Sequence, residues 1–209
     1  MIFSDIKQNI RKDLDDIGVT FYSTDDLTDS VTDAYKDINL KTHCIIKKSA
    51  GLSWIANLSY IDFRTDYLIT DYIATTAIYN NNTNRFLDDN MSLQQFNLIR
   101  WDWEINTGEP DSWAPSDFKR IAIMPRQASA NGTFDLFYWA DTPSFVDTDT
   151  PLIATDMQDL IEKYCVADLL EQAEEFVKAQ TWWEEYDLGI EEYADRVATL
   201  AKADLMLLA

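Results

Sequence analysis

The side chains best supplied for chemistry are carboxylates: the 209 residues carry 37 Asp and Glu against 17 Lys and Arg, a formal charge of −20. Two carboxylates can hydrolyse a glycosidic bond when one is held protonated at a suitable separation from the other. Asp102, Glu104 and Glu109 stand among Trp101, Trp103 and Trp113, a mixture that resembles a sugar-binding cleft. In a chain this acidic some such pairing arises by chance, and tryptophans at this density form cores more often than clefts. A carboxylate-dependent glycan hydrolase therefore stands as an alternative reading.

Other chemistry is poorly provided for. His43 is the single histidine, and Cys44 follows it directly, where adjacent side chains of a strand or helix diverge. A Cys-His or Ser-His-Asp arrangement is not expected. Cys44 and Cys165 lack C-x-x-C spacing and read as small apolar groups. Five glycines, with neither G-x-x-x-x-G-K-[ST] nor G-x-G-x-x-G, leave no phosphate cradle. Asp15, Asp16, Asp25, Asp26, Asp29, Asp33 and Asp37 include no D-x-D-x-D-G loop with a closing Glu, and read as solvated helix faces. No catalytic residue, cofactor or metal is expected. The acidic balance repels nucleic-acid phosphate and anionic membrane, yet suits a surface that DNA slides past.

The elements that would position these residues follow from hydrophobic period. Ile2, Ile6, Ile10 and Leu14 give a first helix with Ser4 as N-cap and Gly18 past its end; Ser23 and Asp26 cap a second, carrying Leu27, Val31, Ala34, Tyr35 and Ile38. From His43 to Tyr79, β-branched and aromatic residues predict two or three strands, closed by the Asn80–Asn84 turn. A helix from Ser92 carries Leu93, Phe96, Leu98 and Trp101 or Trp103. Four of the seven tryptophans, Trp101, Trp103, Trp113 and Trp139, fall between Arg100 and Ala140, where the core is expected. There a strand with Phe118, Ile121 and Ile123 and another with Phe134, Leu136, Tyr138 and Trp139 flank Pro125–Gly132, predicting a long-tipped hairpin. After an acidic connector, a long helix capped by Thr155 or Asp156 runs through Leu160, Tyr164, Phe176 and Val177. Trp182, Trp183 and Gly189 interrupt or end it, and a last helix follows.

The expected class is α+β: an α-helical bundle, residues 1–42 and 151–209, with a small antiparallel β part inserted over 43–150. No apolar run approaches the roughly 20 residues that span a bilayer. The opening Met-Ile-Phe-Ser-Asp-Ile-Lys lacks a basic n-region and apolar h-region, so synthesis in the cytoplasm is expected.

Several short motifs occur in a telling order: Asp33-Ala34-Tyr35, W-x-x-x-x-G-E-P-x-x-W from Trp103 to Trp113, Ile123-Met124-Pro125, Asn131 to Tyr138, and D-x-P-L-I-x-x-x-M-x-x-L-I-x-x-Y from Asp149 to Tyr164. In this order they resemble the head-to-tail adaptor, connector or ring, proteins of short-tailed and crAss-like phages. The resemblance implies a homo-oligomeric ring, commonly a dodecamer, at the head–tail junction of the virion. Its partners would be the portal protein and the next tail or ring protein, with DNA passing through the lumen without specific binding. It carries no catalytic site; the alternative becomes a glycan hydrolase of a phage tail.

Two stretches are candidate partner-binding residues. Trp182 and Trp183 point about 100° apart on a helix and cannot share one core stripe, so one is free for an interface. Leu205, Met206, Leu207 and Leu208 are apolar around the whole helix circumference, so either this protein's own core or a partner groove must cover them. In the adaptor reading that partner is the portal ring.

Overall fold

The computed structural model describes residues 1–16, 18, 21–89, 91–99, 101–117 and 120–207. Its elements begin with α1 (Phe3–Asp13), α2 (Thr24–Thr42), β1 (Ile46–Ser53), β2 (Tyr60–Asp62), α3 (Phe63–Asp66), β3 (Tyr72–Asn80), β4 (Arg85–Phe86) and α4 (Leu93–Ile99). They continue with β5 (Thr107–Gly108), β6 (Ser112–Pro115), β7 (Arg120–Met124), β8 (Arg126–Gln127), β9 (Thr133–Ala140), α5 (Asp159–Gln172) and α6 (Phe176–Leu207). The chain is thus α+β, and it divides into a helical unit, residues 1–45 with 142 onward, and a β unit, residues 46–141.

In the helical unit, Phe3, Ile6 and Ile10 form the buried stripe of α1. Ser4, expected as its N-cap, lies inside the helix; the Asp5 carboxylate accepts from the Ile2 N–H at 3.2 Å instead. Two further first-turn donors, the N–H groups of Phe3 and Ser4, reach the carbonyls of Asp149 and Asp147, both at 2.9 Å. The acidic connector therefore satisfies a helix terminus that would otherwise be left unpaired, and Phe145 stacks on Phe3 with centroids 3.8 Å apart. At α2 the Ser23 hydroxyl accepts from Asp26 N–H and the Asp26 carboxylate from Ser23 N–H, both at 3.0 Å. Such a reciprocal cap stabilises a helix by about 1 kcal/mol.

The long C-terminal helix breaks where no glycine or proline announces it. Glu174 takes a left-handed φ of 61°, and the N–H of Glu175 closes back on the Leu170 carbonyl at 2.9 Å. Phe176 and Val177 consequently do not extend the apolar face of α5; they open α6, with Val177 85% exposed. Trp182, Trp183 and Gly189 do not interrupt α6, which runs for 32 residues. Gly189 is a packing glycine: a Cβ there would lie 2.4 Å from Leu160 Cδ2.

The β unit holds a four-stranded antiparallel sheet, β1-β9-β3-β4, a three-stranded antiparallel sheet, β2-β7-β6, and a short parallel pair, β5-β8. β9 alternates as a half-buried strand should, with Phe134, Leu136, Tyr138 and Ala140 turned inward. The expected hairpin between the Ile121 and Leu136 strands does not form, because β7 belongs to the three-stranded sheet and β9 to the four-stranded one. Their link is held elsewhere: Arg126 N–H donates to the Asn106 carbonyl at 3.1 Å, and the Gln127 carbonyl accepts from Asn57 N–H at 2.8 Å. Phe118 lies outside the described residues.

Two aromatic cores result. Trp54 and Phe134 meet at 4.3 Å, with Phe63 and Tyr67 around Phe134. Phe96 and Trp103, edge to face at 5.4 Å, cover Ala114, Ala122 and Met124. Trp101, expected in the core, is 87% exposed.

Candidate interaction surfaces

Trp183 is half-buried on α6, edge to face with Tyr164 of α5 at 5.0 Å and with Tyr186 at 5.8 Å. The Tyr186 hydroxyl donates to Asp37 of α2 at 2.6 Å, and Lys41 both pairs with Asp37 at 2.8 Å and lies 5.0 Å from the Tyr186 ring. Burial, then the Asp37 hydrogen bond and charge, push the Tyr186 phenol far above its usual range. Burial and the neighbouring acids, Asp168 first, push Tyr164 up to about 12. Both phenols are therefore donors at any physiological pH. Trp183 thus belongs to a knot joining α2, α5 and α6. Trp182 is half-buried beside it. Leu205, Met206 and Leu207 fall on the last turn of α6, and Leu208 lies outside the described residues.

The carboxylates singled out in the sequence are already engaged or apart. Glu104 accepts from the Tyr60 hydroxyl at 2.7 Å, and Glu109 from the side-chain amides of Asn80 at 2.9 Å and Asn82 at 3.0 Å. Asp102, Glu104 and Glu109 do not line the 880 Å³ groove of the β unit, whose carboxylate is Asp117. Cys165 is fully buried, which pushes its thiol far above the ordinary value; burial also raises that of Cys44. Among the described residues no three His, Cys, Asp or Glu side chains group to hold a metal, and no helix is long and apolar enough to cross a membrane.

That groove runs along Ile73 and Ala74 of β3, Trp113 and Pro115 of β6, Ile121 of β7 and Trp139 of β9. Two arginines sit at it: Arg64 donates its Nε to the Tyr72 carbonyl at 2.7 Å, and Arg120 donates its Nε to Asp117 at 2.9 Å. The end of α4 and the segment that follows it carry exposed apolar groups, Leu98 and Ile99 on the helix and Trp101 and Ile105 beyond it. Sequence reasoning missed this patch because residue type gave no sign of which tryptophan faces water. The one available signal was spacing, since Trp101 and Trp103 cannot both meet Phe96 from one helical turn.

Charge is divided unevenly between the units. The helical unit carries 25 Asp and Glu against 9 Lys and Arg, a net −16, and the β unit 12 against 8, a net −4, together the −20 of the chain. On α6 the outward face holds Glu184, Glu185, Asp187, Glu191, Glu192 and Asp195, of which all are exposed.

No curated protein matches the chain. The family model of the SU10 adaptor protein matches residues 1–204. With that match spanning nearly all of its length, the chain belongs to the SU10 adaptor protein family, whose members are phage structural adaptors.

Proposed function

We propose that this protein is the subunit of a ring, a dodecamer in the family resemblance, that joins the portal to the tail at the head–tail junction of the virion and lines the path of the DNA. The family match over residues 1–204 carries the reading. Within the adaptors, the order of motifs favours the short-tailed or crAss-like kind. The charge supplies a mechanism: an acidic wall gives phosphate nothing to bind, so the genome moves past it without sticking. Of Trp182 and Trp183, the knot among α2, α5 and α6 engages Trp183, and Trp182 serves a partner contact at the helical unit. Leu205 to Leu208 dock into the portal ring as an apolar helical end, a common mode of helix-in-groove recognition.

Deleting residues 205–209 should leave a folded subunit that no longer co-sediments with portal rings. Circular dichroism and co-sedimentation check it. An unfolded product would make the segment part of the subunit's own core, and a truncated chain that still co-sediments would place docking elsewhere. Low-resolution images of the assembled particle test the ring directly.

A further inference from the structure

We infer that neighbouring copies of this chain join through the β unit, with the Trp101 patch of one copy seated in the groove of the next. This rests on the ring reading above and names its contact. Strands β6 and β7 pair in the register Trp113 with Ile123, Ala114 with Ala122 and Pro115 with Ile121. Because side chains alternate across a sheet, Ala114 and Ala122 go to one face, where Phe96 and Trp103 cover them. Trp113, Pro115 and Ile121 go to the other, where they line the groove. The segment covering the first face presents Trp101. Knob and groove therefore belong to opposite sides of one small sheet, and a contact between them across copies is head to tail, the kind that closes into a ring.

The two surfaces match in chemistry. An indole 87% exposed, flanked by exposed Leu98 and Ile99, is an anchor without a covering element in its own chain. The groove offers about 880 Å³ between Trp113, Trp139 and Ile73, within the roughly 300–1,000 Å³ typical of built pockets. Asp102 and Glu104 flank the knob; at the groove Arg120 is paired with Asp117, and Arg64 leaves the lining net positive, so opposite charges meet at the rim. The unit that holds both carries only −4 of the −20, so copies approach through it with the least self-repulsion.

Complementation between two broken surfaces tests this. Trp101→Glu destroys the knob, and Ala74→Arg fills the groove; Pro115→Arg, at an exposed position, replaces it should Ala74→Arg fail to fold. Native mass spectrometry and sedimentation of the full chain should show wild type assembling and each variant weaker by roughly 30-fold or more, with unchanged circular dichroism. A mixture of the two variants retains one intact knob and one intact groove, so it should form dimers and go no further. Assembly of Trp101→Glu at wild-type strength would overturn the contact and leave the ring standing. Absence of dimers in the mixture would show that knob and groove are not partners. A wild-type chain that stays monomeric would remove the ring reading and the contact together.

Discussion

The helical unit adds to its apolar and aromatic core a buried acid held by an arginine and backbone donors, whereas the β unit is packed mainly by rings. Asp16, almost fully buried, accepts from Arg11 at 3.0 Å and from the N–H groups of Phe21 and Tyr22 at 3.0 and 3.1 Å. Lys7 reaches Asp147 at 2.6 Å and Thr28 at 2.9 Å. The β unit instead packs Trp54, Phe63, Phe134, Phe96 and Trp103, and in its ion pairs, Lys47 with Asp71, Lys48 with Asp135 and Arg120 with Asp117, the cation stays at least a third exposed. In a unit with a net −16, Arg11 meets the buried Asp16, and the buried Lys7 meets an acid, Asp147, that stays exposed. Both units leave apolar groups exposed, among them Phe21, Leu40 and Val177 in the helical unit and Leu98, Ile99 and Trp101 in the β unit.

The largest effects are expected at the anchors of each unit. Trp103→Ala should cost about 3–5 kcal/mol in a denaturant titration, as truncation of a buried aromatic does; its indole also loses the 2.8 Å bond to Asn97. Asp16→Ala should cost about 3 kcal/mol, since it strands Arg11 and two backbone donors in a buried place. A loss near zero there would mean that the helical unit does not depend on buried charge.

Acid should act with opposite sign on Glu162 of the helical unit and on Asp71 and Asp135 of the β unit. Burial pushes the Glu162 carboxyl up, the hydrogen bond from Asn9 at 2.9 Å opposes it, and Asp13 and Asp159 push it further. A raised carboxylate costs stability above its folded pKa and returns it as pH falls through that value. In the β unit burial opposes ionisation of Asp71 and Asp135, but the hydrogen bonds from Lys47 and Tyr138, and from Lys48, Asn81 and Gly51, outweigh it and hold both below the ordinary range. Their stabilisation is complete above the unfolded value near about 4 and is lost as pH falls through the lower folded one. Melting curves from pH 7 to 3 should therefore show Glu162→Gln stabilising at pH 7 and neutral near pH 4. The Lys47→Met, Lys48→Met pair should weaken the protein at pH 7 and converge with wild type at the acid end. The smallest effect belongs to Trp101→Ala, expected within about 0.5 kcal/mol of wild type because its ring faces water.

The contrast between Trp101 and Trp103 also marks where a sequence stops being legible. Local chemistry was readable: Ser23 with Asp26 announced the start of α2, and Ser92 with Gln95 caps α4 where a helix was expected, through bonds of 2.6 and 3.3 Å. Partnership was not. The apolar run Ile121 to Met124 and the alternation from Phe134 to Ala140 mark two strands, but neither pattern says which strand lies alongside, so adjacency in sequence suggested a false hairpin. Gly189 looked like a helix stop and proved to be a close approach to Leu160, while the true break at Glu174 used a residue type that rarely signals one. The surface patch around Trp101 and the groove opposite depend on tertiary faces, which no periodicity encodes.

One consequence of the uninterrupted α6 concerns phase. Tyr193 is buried, none of residues 194–199 is, and the helix continues to Leu207, about 21 Å beyond Tyr193 at 1.5 Å per residue. Along such a rod, height and azimuth are locked together. Removing one residue between Tyr193 and Leu205 turns everything beyond by about 100° while shortening it by only about 1.5 Å. Removing seven shortens it by about 10 Å yet restores the heading to within about 20°. Whatever meets the end of this helix can thus be asked whether it reads distance or direction.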